Sequence, residues 1–240
     1  MPVIRTLAAV LFASFCILFV LPWFIFLSFV TGRADAMYGL AMNVVRIINK
    51  IVGVRVHLEA LENIPPGACV FVANHVSNVD PIALFPNVPR RLSVLAKKEF
   101  FRIPILSFGM RMVKFVPVDR GDKEAAIVSI DTAVDYLREG YSFAIFAEGT
   151  RSPDGRLRQF LKGAAVMAID AKVPIVPVSI VGTYKMMKKG AWGIRPGTVI
   201  IRFGDPISAK EYEYEQRNAL ISRARDAVAK GLPPEQQPLQ

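Results

Sequence analysis

The stretch NHVSNVDP, residues 74–81, sets a histidine and a carboxylate five positions apart, with a proline directly after. The chain holds only two histidines, so each can be weighed. A neutral imidazole, with an ordinary pKa of about 6.5, accepts a proton at neutral pH. A carboxylate beside it fixes its tautomer and stabilises the imidazolium that forms. His75 and Asp80 are therefore the right types for general-base chemistry. They are two members of a hydrolase triad whose third is not evident: no G-x-S-x-G is present and no cysteine adjoins His75. Ser77 is near in sequence, but spacing alone does not aim it at the ring. The hydroxyl of a substrate can fill the vacant role, in which case an acyl group passes directly to an alcohol without an acyl-enzyme.

His-x₄-Asp arises easily by chance, and its company matters more. FAEGTRS (146–152) supplies Glu148, Gly149, Thr150 and Arg151 after a strand-like run. Gly149 permits close backbone approach, and Arg151 can hold a phosphate through two parallel hydrogen bonds. The spacing is not that of a nucleotide P-loop. VPVDR (116–120) offers Arg120, and AKKEF (96–100) offers Lys97 and Lys98. If these strand ends converge, they describe a site for a phosphate monoester carrying a free hydroxyl. Taken singly, each cation is more often a solvated surface charge. The other histidine, His57, falls on the polar face of the alternating run VRVHLEA and belongs to the surface.

These loops need elements to carry them. Residues 54–60, 69–73, 92–96, 114–118, 143–147, 175–181 and 198–203 are rich in β-branched residues and read as strands. Residues 123–139 read as a helix: Ile127, Ile130, Val134 and Leu137 share a face, and Gly140 supplies the stop. Ser208 and Glu211 have capping-box spacing for a last helix reaching about Lys230. Pro81 suits a helix start, with Asp80 as its cap. His75 then lies in the loop at a strand's carboxyl end, where α/β proteins commonly bind ligands. The expected fold is a single α/β domain over 53–230, a mixed and largely parallel sheet flanked by helices, with a loose tail at 231–240.

Ahead of it, residues 7–30 carry no charge, and about 20 such residues suffice to cross a bilayer. Pro22 should bend or break a helix there. A secretory signal peptide has a shorter apolar core, which favours a retained anchor. From Asp35 to Val52 polar residues recur at steps of three and four, namely Asp35, Gly39, Asn43, Arg46 and Lys50. That pattern is an amphipathic helix, lying in a membrane interface or packed on the domain. Residues 1–52 are thus expected to form a hydrophobic two-helix anchor. Arg5 and Arg33 flank the apolar run and leave its orientation undecided.

Net charge is +10, and residues 86–204 hold the surplus, 20 basic against 10 acidic side chains. A basic surface next to an apolar segment fits a lipid surface better than nucleic acid, for which no binding signature is present. Cys16 and Cys69 suggest neither a disulfide framework nor a metal site, which suits a reducing compartment.

NHVSNVD, KFVPVDR, FAEGTRS and VPIVPV (173–178) together resemble, in order and spacing, the four blocks of the glycerolipid acyltransferases, most closely the 1-acyl-sn-glycerol-3-phosphate acyltransferase branch. The resemblance spans roughly residues 54–205. It implies acyl transfer from acyl-CoA or acyl-carrier protein to lysophosphatidic acid, with no cofactor and no metal, by a membrane-associated enzyme whose domain faces the cytoplasm. It implies His75 as general base, oriented by Asp80. It further implies Arg151, Arg120 and Lys97 on the acceptor phosphate, with Glu148, Gly149 and Thr150 shaping the acceptor site. Another lysophospholipid or glycerol-3-phosphate as acceptor, or thioester hydrolysis, stay open as alternatives. One departure stands out: the family usually has proline before the glutamate, and this chain has Ala147.

Overall fold

A computed structural model describes residues 2–31, 34–119 and 121–238; Arg33 and Arg120, both singled out above, lie outside the described residues. The central sheet has the order β1 (Val54–Glu59), β8 (Gly197–Phe203), β7 (Ile175–Val181), β2 (Val70–Ala73), β6 (Ser142–Phe146), β3 (Leu92–Ser93). β2, β3, β6 and β7 run one way, and β1 and β8 the other, so β7 and β8 form the antiparallel junction. The sheet is mixed and largely parallel, as the alternation of strands and helices predicts. One predicted strand is divided: residues 92–96 give β3 and then β4 (Leu95–Lys97), which leaves the main sheet and pairs in parallel with β5 (Val116–Val118).

Helices cover both faces, which is why β2 and most of β7 are buried without alternation. Phe71 and Ala73 point toward α3 (Ala34–Val52) and α4 (Val79–Leu84). Val70 and Val72 point the other way, toward α6 (Lys123–Arg138), α7 (Gly163–Ala171) and α9 (Arg217–Lys230). Asp122 caps α6 by accepting from Glu124 and Ala125, and the chain turns at Gly140 with φ of +96°. The last helix differs from expectation. It begins at Arg217, and the capping box is Glu213 with Gln216; Ser208 only accepts a long bond from Lys210. Nor are residues 231–238 loose: Leu232 and Gln236 are buried, and the Gln236 carbonyl accepts from Leu157.

The N-terminal region holds one long apolar helix rather than a pair. α1 (Pro2–Phe15) and α2 (Leu21–Thr31) are joined without a break by a π-helical turn at Cys16–Val20. Pro22 has no N–H to give its preceding turn, and the helix widens ahead of it, Leu21 donating to Cys16 O, instead of stopping. Residues Pro2–Leu27 are long and apolar enough to cross a membrane. One side of this helix, including Leu7, Leu11, Phe15, Phe19, Trp23 and Phe26, is exposed. The other side lies on the domain through Ala9, Leu21 and Ile25. The second predicted anchor helix, α3, is amphipathic as its spacing indicates. Gly39, Asn43, Arg46 and Lys50 are exposed, whereas Met37, Tyr38, Met42 and Val52 enter the core. It is bolted to the domain by Arg46 to Pro86 O at 2.6 Å and Asn49 to Ile82 O at 2.7 Å.

Candidate active site

β2 ends at Ala73, where the chain turns away from its neighbours and leaves the Ile180 N–H and C=O of β7 without a backbone partner from β2. Side chains take over. Asn74, almost fully buried, accepts from Ile180 N at 2.7 Å and donates to Ile180 O at 2.9 Å, imitating a strand rung toward β7. Toward β6, His75 N donates to Glu148 Oε1 at 2.8 Å, and His75 O accepts from Ser152 N at 2.8 Å. The backbone of His75 is therefore gripped at both its N–H and its carbonyl, with Asn74 held beside it. Glu148 and Ser152 bracket it, so the Gly149–Thr150–Arg151 turn arches beside the histidine. Arg151 is 76 residues from His75 in sequence and only one residue from a hydrogen bond to its carbonyl.

The ring itself is fixed as tightly. His75 Nδ1 and Asp80 Oδ2 are 2.8 Å apart, and the His75 and Phe146 rings stack with centroids 4.4 Å apart. Asp80 Oδ2 also accepts from Val76 N at 2.7 Å and Ser77 N at 2.8 Å. A fully buried oxygen collecting these donors acts as an acceptor, so Nδ1 carries the proton and Nε2 presents its lone pair. The His75 side chain keeps 16% of its surface, enough for contact with a substrate. The role of Asp80 differs from the predicted helix cap. It is the second residue of α4, and its carboxylate ties back to the preceding loop. Those bonds occupy the Val76 and Ser77 N–H groups, which removes both as oxyanion donors.

Ser77 is also settled. It is fully buried, donates to Met187 O at 2.7 Å and accepts from Val79 N at 3.1 Å. It closes the loop, and its hydroxyl is spent there rather than on the ring. Gly149 has φ of +70°, and a Cβ there would overlap the Leu161 side chain. The close approach that a glycine allows is thus made by Leu161. Ala147 donates its N–H to Ala73 O at 3.3 Å, adding a rung that a proline at this position would abolish.

A cavity of about 460 Å³ lies beside this loop, lined by Val94, Leu95, Val118, Phe146, Glu148 and Thr150 among others. Burial raises the Glu148 carboxyl to about 7; hydrogen bonds from the His75 and Arg158 backbones oppose the shift, and the Asp80 charge adds to it. Lys97 ends β4 at the same side, exposed and paired with Glu99 at 3.3 Å. Lys98 pairs with Asp119, the residue before Arg120. The strand pairing Lys97↔Val118 brings the two basic segments together. Asp80 and Glu148 are thus both bonded to His75, with Gly149, Thr150 and Arg151 in the adjoining turn and Lys97 on the β4–β5 edge. Asn74 and Phe146 were missed in the sequence. Asn74 had a signal, a polar residue continuing a fully buried strand; Phe146 had none, since its stacking depends on how two loops meet.

A histidine held by a buried carboxylate, with no side-chain nucleophile bonded to it among the described residues, fits acyl transfer directly to an alcohol. The chain belongs to the acyltransferase family, whose model it matches over residues 55–181. It is 29% identical over 220 residues to the 1-acyl-sn-glycerol-3-phosphate acyltransferase of Limnanthes douglasii, covering 91% of this chain and 76% of that protein. The 1-acyl-sn-glycerol-3-phosphate acyltransferase of Borreliella burgdorferi is 30% identical over 184 residues, 76% of this chain and 73% of its own. The crystal structure of the 1-acyl-sn-glycerophosphate acyltransferase PlsC from Thermotoga maritima superposes with a TM-score of 0.79 at 28% identity, covering 95% of both chains.

Proposed function

We propose that this protein transfers a fatty acyl group from acyl-CoA or acyl-carrier protein to the free hydroxyl of 1-acyl-glycerol-3-phosphate, giving phosphatidic acid. The observation that carries the chemistry is the 2.8 Å contact between His75 Nδ1 and Asp80 Oδ2, which leaves Nε2 to take a proton. Nε2 removes the proton of the acceptor hydroxyl as its oxygen attacks the thioester carbonyl. The C–O bond forms, the C–S bond breaks, and the proton on the imidazolium goes to the departing thiolate. Asp80 holds the tautomer and balances the transient positive charge. Arg151, with Arg120 and Lys97, binds the acceptor phosphate, while Glu148, Gly149 and Thr150 shape the acceptor site. The acceptor assignment is supported by the named activity of the relatives.

The chain works at a membrane surface, on its cytoplasmic face, with residues 1–52 as the anchoring region of the domain 53–230. The reading is tested with purified protein, a mixed set of lysolipids and acyl-CoAs, and mass spectrometry of products. His75→Ala should lower turnover by about 10²–10⁴-fold with the fold intact. Near-normal transfer by that variant would remove the base assignment. Thiol release that ignores the acceptor would show a hydrolase instead.

A further inference from the structure

Between β4 and β5 the chain makes an excursion that the chemistry above does not use. It runs through a 3₁₀ turn, Lys98–Arg102, and then α5 (Pro104–Met112). Four large apolar side chains within nine residues stand in solvent: Phe100 is 52% exposed, Ile103 51%, Ile105 38% and Phe108 47%. Isolated exposed apolar residues are ordinary, but a contiguous group of this size is not. Its surroundings are mainly basic, the one acid at its edge, Glu99, being paired with Lys97. Residues 100–118 contain no acidic side chain, and they carry Arg102, Arg111 and Lys114. Arg111 lies over the Phe101 ring at 5.5 Å, keeping its charge beside the apolar group.

The group also continues another apolar surface. Gly109, on the inner side of α5, faces Leu21 of the long N-terminal helix, where a Cβ would sit 3.4 Å from Leu21 Cδ1. The exposed side of that helix, with Leu18, Phe19, Trp23 and Phe26, therefore runs on to α5. Apolar side chains followed by cations, in a stretch without acids, match the boundary between acyl chains and anionic headgroups.

We propose that the 98–112 excursion is a second membrane contact, in which Phe100, Ile103, Ile105 and Phe108 insert shallowly into a leaflet containing anionic phospholipid. The N-terminal helix supplies the main hold, and the excursion sets the tilt of the domain. Because Phe100 follows closely on the carboxyl end of β4, insertion brings Lys97 and the mouth of the cavity to headgroup level. The proposal rests on the membrane-surface reading and not on the reaction, so it is tested without turnover.

The test uses the full chain with Trp23→Phe and Trp192→Phe, and Phe100→Trp as the single reporter. Vesicles of phosphatidylcholine and phosphatidylglycerol carry bromine at shallow or deep acyl positions. Shallow bromine should quench the indole at position 100 strongly and deep bromine weakly. Glu211→Trp as the sole reporter in the same tryptophan-free background, at an exposed position in the segment before α9, should stay unquenched. A second variant, Phe100→Ser with Ile103→Ser and Phe108→Ser, should keep a cooperative melt and lose vesicle partitioning by about tenfold or more. Quenching at position 100 no greater than at position 211, in vesicles that do bind the chain, would overturn the proposal. Equal partitioning into phosphatidylcholine alone would overturn its anionic component. Self-association that buries the position-100 reporter without lipid would assign the face to a second copy of the chain and overturn it as well.

Discussion

Glu148 occupies an unusual position, a carboxyl buried against the backbone of the histidine it supports. Its folded pKa of about 7 stands above the ordinary 4.5. Between those values the folded chain keeps a proton that the unfolded chain has released. Stability should therefore fall as pH rises from 4.5 toward 7 and level off above it, by about 3 kcal/mol at most. Glu148→Gln keeps an oxygen that can accept from His75 N and removes the titration. Urea unfolding at pH 5, 6, 7 and 8 should give a flatter profile for the variant, and parallel profiles would show that this carboxyl is not the source. The residue types alone marked His75, Asp80, Glu148 and Arg151 as chemically able. They did not show that Asp80 Oδ2 serves three donors or that Ser77 is spent on Met187 O, because these depend on how the loop folds back and on a segment 110 residues away.

The end of β2 is held by the Asn74 side chain in place of strand pairing, and this makes the geometry of His75 a property of two strands. Asn74→Ala leaves Ile180 N and O buried without their partner. The expected cost is about 2–4 kcal/mol in unfolding free energy. On the role proposed for His75, it should come with a fall in kcat larger than any change in KM, since that ring is displaced and Lys97 is not. Wild-type stability in that variant would refute the staple. The strands themselves were legible, since β-branched runs bounded by turns need no tertiary information. The division of 92–96 into β3 and β4 was not, because both pieces are equally strand-like and only the departure of the chain toward β5 separates them. The last helix starts later than its sequence spacing suggests, for a related reason. Ser208 and Glu211 have the spacing of a capping box, but the Ile175↔Ile207 bridge keeps that stretch extended as a ladder end, and the turn closes later at Glu213 and Gln216.

The N-terminal helix is both a candidate anchor and part of the folded body. Thr6 Oγ1 accepts from Ile194 N at 2.8 Å, Ala9 is buried, and Leu21 meets α5. A cavity of about 330 Å³, lined by Cys16, Val20, Met37, Ile48, Met110 and Phe115 among others, is walled by this helix, α3 and α5. Deleting residues 1–31 should therefore do more than release the protein from membranes. It should uncover the apolar side of α3, lower the melting temperature and promote aggregation, as read by thermal unfolding and light scattering. A soluble, equally stable truncated domain would show that the helix is a detachable tether.

Composition and pattern determined the class of fold, the apolar start, the basic middle and the residues able to react, because periodicity and residue type are local properties of a chain. Tertiary structure decided which of those residues meet. It wrapped the 148–152 turn around His75, gave Asp80 to the loop in place of the helix end, and laid one side of the N-terminal helix on the domain. The physical reason is that most of these contacts join segments far apart in sequence, and only the packing of helices on both faces of one sheet fixes the distances between them.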